Sequence, residues 1–420
     1  MRFIHCADLH LDSPLRGLER YEGAPVDEMR QATRRSFVNI VDLALERDAD
    51  CLLIAGDVFD GDWLDFNTGL FFANQLRRLA DRDIRVFIVR GNHDALSKIS
   101  KAVPLPKNTH VFKASKPETV VDETLGLAIH GQSFADGAVI EDLAARYPDA
   151  LPGLLNIGLL HTALSGREGH ETYAPTSVER LTAKGYHYWA LGHVHAREIV
   201  RENPWIVFPG NTQGRHAREL GAKGCMVVEG DADEGIRSVE FVPTDVARWF
   251  HLSLDASDWN MLEDLQGAVQ QATRSIAQES GDRLLALRLA ITGRTPLHGR
   301  LVDNSEHFRA EVCAWLNEAS AGLAWLEKIK LDLSAPLDLA ALAKRDDPFG
   351  LLVRMLDELA TDPAALAALA EPALTELEQK IPAELRERDP LLQPLAAEVQ
   401  AEALATARGR LLAAISVEAP

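Results

Sequence analysis

Five short polar clusters in the first half of the sequence are built from residue types that bind metals. "CADLH" carries Asp8 and His10, "AGDVFD" carries Asp57 and Asp60, and "RGNHD" carries Asn92, His93 and Asp94. "LLHT" carries His161, and "LGHVH" carries His193 and His195. Each follows an apolar run of strand character, and strand ends are where ligands sit in open α/β sheets. Gly56, Gly91 and Gly192 immediately precede Asp57, Asn92 and His193, and glycine permits a sharp turn there. In extended chain, alternate residues share a face, so Asp8 with His10 and His193 with His195 are each expected to project together. Carboxylates, imidazoles and one amide carbonyl suit Mn²⁺, Fe²⁺ or Zn²⁺ better than Ca²⁺ or Mg²⁺. Seven donors exceed one tetrahedral shell and suit two ions that share a carboxylate. Such a pair clamps the attacking and leaving oxygens of an in-line displacement at phosphorus.

Taken singly, these clusters are weak. A lone histidine after an apolar run is more often a core or surface residue than a ligand, and Gly-Asp is a common turn. The conjunction decides, because a structural account would have to find partners for so many polar groups. His5, His130 and His187 lie nearer to core or strand positions and are not read as ligands.

Positioning these clusters requires a sheet-rich scaffold. "RFIHC", "CLLIA" and "RVFIV" read as buried strands, separated by the helical patterns of "RRSFVNIVDLALERD" and "LFFANQLRRLADR". Further strand runs follow to about residue 245, with few helices between them. They imply a second sheet packed on the first. Three more strand runs, with helices expected over Trp259–Gln278 and Ser305–Ala319, form a β-α-β-α-β unit. Beyond residue 335 the chain is rich in Ala, Leu, Glu and helix-punctuating Pro. The expected domains are therefore 1–245, 246–334 and 335–420.

With 420 residues, 46% of them hydrophobic, the chain can bury cores without disulfides, and its four cysteines form no Cys-x-x-Cys pair. The sequence lacks an apolar run of the roughly 18 residues a membrane helix needs. A soluble, cytoplasmic protein with no membrane partner is expected. The net charge of −19 argues against a grip on nucleic acid through bulk electrostatics, unless metals or a partner supply positive charge. Residues 336–420 add eight basic and fifteen acidic residues, a net −7, with apolar stripes that could pack in the chain or dock on a partner.

The ordered set Asp-x-His, Gly-Asp-x-x-Asp, Gly-Asn-His-Asp, a lone His and Gly-His-x-His resembles the signature of calcineurin-like metallophosphoesterases. "IHCADLHLDSPLRGL" and "PGNTQGRHARELGAKG" resemble, more narrowly, bacterial DNA repair exonucleases of the SbcD/YhaO type. The resemblance implies a four-layer α/β/β/α sandwich with a small α+β cap domain and a C-terminal helical tail. It implies one metal held by Asp8, His10 and His195, a second by Asn92, His161 and His193, and Asp57 bridging them, with Mn²⁺ favoured over Fe²⁺ or Zn²⁺. His93 then serves the leaving oxygen, oriented by Asp60 in a dyad. Arg16, Asn211, Arg215 and His216 are weaker candidates for substrate contact, weighed against plain solvated loops. The implied activity is hydrolysis of DNA phosphodiester bonds from ends. The implied partners are DNA, an SbcC-like coiled-coil ATPase and a second copy of the chain. A small-molecule phosphoesterase uses the same ligands but leaves the cap and tail unexplained.

Overall fold

The computed structural model describes residues 1–13, 23–60, 66–96, 104–164, 173–335, 339–382, 385–386 and 392–418, with side chains as far as residue 412. Its contacts divide the chain into two compact units. The first comprises Met1–His251, Ile276–Arg288 and Leu323–Glu327, and the second comprises Leu252–Ser275, Leu289–Gly322 and Lys328–Pro420.

The first unit carries the clusters. Its strands are β1 (Arg2–Cys6), β2 (Cys51–Ala55), β3 (Arg85–Val89), β4 (Thr109–Val111), β5 (Glu118–Asp122), β6 (Leu127–Gly131), β7 (Leu155–His161), β8 (Tyr188–Gly192), β9 (Glu198–Glu202), β10 (Trp205–Phe208), β11 (Gly224–Asp231) and β12 (Gly235–Pro243). They form two six-stranded mixed sheets, ordered β12-β11-β1-β2-β3-β4 and β5-β6-β7-β8-β10-β9. β1 to β4 run parallel, as do β6, β7, β8 and β10.

The period-two alternation of each strand sorts its side chains into layers. Ile4, Leu52, Ile54, Val86 and Ile88 point to helices α1 (Val26–Glu46) and α2 (Phe66–Ala80), meeting Phe37, Ile40, Phe72 and Leu76. The alternate residues Phe3, Leu53, Phe87 and Val89 pack between the sheets against Ile129, Ile157, Leu159 and Tyr188. The far face of the second sheet buries Leu160, Trp189, Leu191 and Phe208 against Leu143, Tyr147 and Leu181. β2, β7 and β8 are buried at every position, which is why they read as continuous apolar runs. Two short helices, α3 (Asn92–Leu96) and α4 (Val178–Ala183), complete this part.

β13 (Ala247–Asp255), β14 (Leu284–Arg294) and β15 (Ala324–Ser334) form a three-stranded sheet in that order. Backbone bonds Leu284 N–H to Val246 and Ala256 N–H to Thr292 rise together along both strands, as do Leu285 to Leu323 and Thr295 to Ser334. The sheet is therefore parallel, as helical crossovers require. The crossovers are α5 (Leu262–Ser280), and α6 (His298–Asp303) with α7 (Ser305–Ala319). The remaining helices are α8 (Leu339–Ala343), α9 (Pro348–Thr361), α10 (Pro363–Lys380) and α11 (Ala397–Glu418). Asp347 and Asp362 cap α9 and α10 through their side chains, each with Pro at the first turn. All four cysteines are free thiols. No helix among the described residues is long and apolar enough to cross a membrane.

Candidate metal centre

The five clusters converge at one end of the two sheets. Asp8 and His10 follow β1, Asp57 and Asp60 follow β2, and Asn92 and His93 open α3 just beyond β3. His161 ends β7, and His193 and His195 follow β8. Asp8, His10 and His195 bring one ligand atom each within 4.8 Å of one another, and so do Asp57, His161 and His193.

The local backbone is not extended there, contrary to the strand-period expectation. φ is +53° at Asp8, +43° at His10, +53° at Asp57 and +99° at His193, all in the left-handed region. The chain after β1 curls alongside the chain after β2, with Asp8 N–H donating to Gly56 O and His10 N–H to Asp57 O, both at 3.0 Å. The curl at His193 sends it to Asp57 and His161, while His195 turns to Asp8 and His10. A Cβ at Gly56, where φ is +95°, would lie 2.4 Å from His161 Nδ1. One at Gly192 would lie 1.9 Å from the Ala55 carbonyl oxygen. At Gly192 the glycine provides room for one sheet to approach the other.

Tautomers follow from the outer hydrogen bonds. His10 Nδ1 lies 2.6 Å from Asp60 Oδ1, and His195 Nδ1 lies 2.7 Å from Glu219 Oε1. Both Nδ1 atoms therefore carry the proton and leave Nε2 as a lone pair. The two Nε2 atoms face each other at 3.3 Å. Two bare lone pairs repel unless a cation lies between them. Metal–nitrogen bonds of about 2.1 Å at a roughly tetrahedral angle would separate the nitrogens by about 3.4 Å. His161 likewise donates Nδ1–H to Ala55 O at 2.8 Å, leaving Nε2 3.0 Å from Asn92 Oδ1 and 3.4 Å from Asp57 Oδ2. Asp57 Oδ2 also lies 4.0 Å from His10 Nε2, so this oxygen sits between the two clusters. Asp57 Oδ1 accepts the His93 backbone N–H at 3.0 Å. The donor set fits a binuclear site.

Electrostatics agree. Burial, reinforced by the Arg215 guanidinium, lowers the His10 pKa to about 4, so the ring is neutral at pH 7. Burial works against a charged His161, but Asp57 and Asp8 outweigh it and raise the ring to about 9. Burial would raise Asp57, yet His161 beside it holds it well below the usual range.

Asp60 faces His10 as well as its expected partner His93. Its short bond is to His10, and His93 Nδ1 stands 3.5 Å from the same Oδ1. The reason is that His10 curls back over the loop after β2, placing its Nδ1 nearer than that of the half-exposed His93. Asp94 is a buried clip that accepts N–H groups of Val58, Phe59 and Gly91, tying the loops after β2 and β3 together. Burial and then Asp57 push its carboxyl up to about 7.

Of the weaker candidates, Arg16 lies outside the described residues. Asn211 is fully buried, donates Nδ2–H to Gln213 O at 2.7 Å and bridges to Ala7. The bridge draws it inward, away from solvent. Arg215 and His216 do line an open cleft of about 830 Å³, with Asp57, Asn92, His93, His193 and His195. Arg197, Arg218, Lys223 and Tyr173 line it too and were not singled out from sequence. Glu219 is the most informative omission, since its charge reads as surface between Arg218 and Lys223 but is buried beneath His195. Burial opposes its ionisation, but the His195 bond and Arg215 hold it well below the ordinary range. His5 bonds Tyr188 and Leu191, His130 bonds Thr119 and Asn156, and His187 accepts from Asn156 N–H, all outside the centre as expected.

Comparison with known proteins fits this geometry. Residues 1–197 match the family described as calcineurin-like phosphoesterase, and residues 249–334 match that described as metallophosphoesterase YhaO, middle domain. The chain is 33% identical over 300 residues to the uncharacterized metallophosphoesterase YhaO of Bacillus subtilis strain 168, covering 70% of this chain and 72% of that one. It is 24% identical over 314 residues to the DNA double-strand break repair protein Mre11 of Methanopyrus kandleri, covering 67% and 65%. It is 23% identical over 281 residues to the protein of that name from Sulfurisphaera tokodaii, covering 63% and 68%.

Proposed function

Given that the chain belongs to the calcineurin-like metallophosphoesterases of the YhaO type, related to the Mre11 and SbcD nucleases, we propose that it is a two-metal DNA exonuclease subunit. At the coarser level it is a metal-dependent phosphoesterase hydrolase. The observation that carries the mechanism is Asp57 Oδ2, poised between the His10 and His161 nitrogens.

Asp8, His10 and His195 would hold one ion, Asn92, His161 and His193 would hold the other, and Asp57 would be shared between them. Mixed nitrogen and oxygen donors favour Mn²⁺, with Fe²⁺ and Zn²⁺ as alternatives. When bound, the two ions supply Lewis acidity at the phosphate and activate a water at neutral pH. Asp60 and Glu219 hold the His10 and His195 rings in register. His93, half-exposed on the cleft and within 3.5 Å of Asp60, delivers a proton to the leaving oxygen.

The relatives named for DNA repair support a nucleic-acid substrate. So does the cleft, where the exposed Arg197 and Arg218 stand in a chain of net charge −19. Such a local basic rim attracts a polyanion despite the overall charge. Residues 1–245 form the catalytic domain, 246–334 a cap and 335–420 a tail that docks a coiled-coil ATPase. The half-exposed Leu351 and Met355, one turn apart on α9, offer that partner an apolar face. The active form is a homodimer.

The test is incubation of purified protein and Mn²⁺ with end-labelled duplex and single-stranded DNA, alongside a panel of nucleotides and cyclic nucleotides. Mononucleotide release from DNA ends is expected. Turnover of nucleotides alone would replace this proposal with the small-molecule phosphoesterase.

A further inference from the structure

We propose that Arg215 is a positioning residue for one metal site and not a clamp for substrate phosphate. This inference rests on the two-metal reading above. The geometry is a closed ring. His10 Nδ1 meets Asp60 Oδ1 at 2.6 Å, and an Arg215 terminal nitrogen stands 3.8 Å from that oxygen. The other terminal nitrogen stands 3.3 Å from Glu219 Oε1, which meets His195 Nδ1 at 2.7 Å. The ring closes through the facing Nε2 atoms of His10 and His195. One guanidinium thus ties the two carboxylates that orient the two imidazoles of a single metal site.

Three observations favour this role. The Arg215, Asp60 and Glu219 side chains are only 15%, 10% and 5% exposed, so salt screens the ion pairs weakly. The two terminal nitrogens each face a carboxylate, and Nε is buried, so the guanidinium charge is already balanced by Asp60 and Glu219. Glu219 Oε2 accepts the Arg215 backbone N–H at 2.7 Å, which fixes both ends of the loop that carries them. Arg215 also lies 3.4 Å from His195 Nδ1, but that nitrogen carries the proton it donates to Glu219 and has no lone pair to accept with. Lysine cannot span the two carboxylates, because an ammonium is a point charge without the planar fork. The exposed Arg197 and Arg218 on the same cleft are better placed to meet phosphate.

The experiment titrates Mn²⁺ into the metal-free full-length protein and reads stoichiometry and the affinity of each site. It compares wild type, Arg215→Lys, Glu219→Gln, and Asn92→Ala at the opposite ion. The KM for a phosphodiester is measured in parallel. Two ions are expected for wild type. Arg215→Lys and Glu219→Gln should each weaken one site by about 10- to 100-fold, the range for loss of an outer-shell partner, and spare the other. Asn92→Ala should weaken the other site. Combining Arg215→Lys with Glu219→Gln should cost little more than the worse single change, because both break one ring. Glu219→Gln keeps the side chain's shape and tests the ring should Arg215→Lys fail to fold. Unchanged affinity at both sites with a raised KM in Arg215→Lys would overturn the proposal in favour of a clamp. Fewer than two Mn²⁺ bound by wild type would sink the two-metal reading itself, and this inference with it.

Discussion

Replacing Gly192 by alanine is the sharpest probe of how the centre is built. The new Cβ would lie 1.9 Å from the Ala55 carbonyl oxygen, about 1.5 Å inside ordinary contact. The obstacle is backbone, so no flexible side chain can yield. Gly192 also pairs with His161 across β7 and β8 and precedes His193. Any shift that relieves the clash therefore moves two ligands at once. Overpacking of this kind costs roughly 1–3 kcal/mol, which lowers the melting temperature by about 2–12 °C in a domain of this size. A ligand displaced by about 1 Å should slow turnover by about 100-fold. Gly153→Ala is the control: its φ is +74° and nothing lies within 4 Å of the added carbon. It should cost about 1–2 kcal/mol of backbone strain and leave turnover intact. The assays are thermal scanning and hydrolysis of bis(p-nitrophenyl) phosphate with Mn²⁺. If Gly192→Ala melts and turns over like wild type, the close approach of the two sheets is refuted as a determinant of the site.

Two further outcomes follow from the same geometry. His93→Ala should abolish phosphodiester turnover while retaining two Mn²⁺ per chain, measured by titration; loss of both together would show that His93 holds metal. His5 is fully buried and burial lowers its pKa to about 3, so it is neutral in the fold. Because its folded pKa lies below the unfolded value of 6.5, its contribution is complete above about pH 6.5. It declines as pH falls towards 3, by about 1.4 kcal/mol per pH unit once well below 6.5. Denaturant titrations of wild type and His5→Gln should show a shallower acid loss in the variant, and equal slopes would contradict this.

Sequence patterning exposed much of this architecture because its determinants are local. β2, β3, β7 and β8 are buried apolar runs, and the ligands cluster in short motifs at their ends. β4, β5 and β9 escaped detection because β4 is only three residues long and charged residues break the apolar patterns of β5 and β9. Helix α5 spans Leu262–Ser280, close to the expected range, and α7 coincides with Ser305–Ala319. The outer partners were less legible. Glu219 lies 24 positions from His195, and only the fold shows that one orients the other. The bond from Asp60 to His10 depends on a left-handed turn at His10. That turn is set by hydrogen bonds from a different strand loop, which period-two reasoning cannot anticipate.

The provenance of the ligands has a mechanical consequence. Asp8, His10 and Asp57 extend from strands of one sheet, and His161, His193 and His195 from strands of the other. Each three-residue cluster draws donors from both. Bound ions would therefore act as two rivets through the open end of the sandwich, fastening layers that elsewhere hold together mainly by apolar contact, with His5 bonding Tyr188 and Leu191 across the seam. Stripping them should leave both sheets folded while slackening the seam from that end inward, so that catalytic readiness and the cohesion of the sandwich rise and fall with the same metal supply.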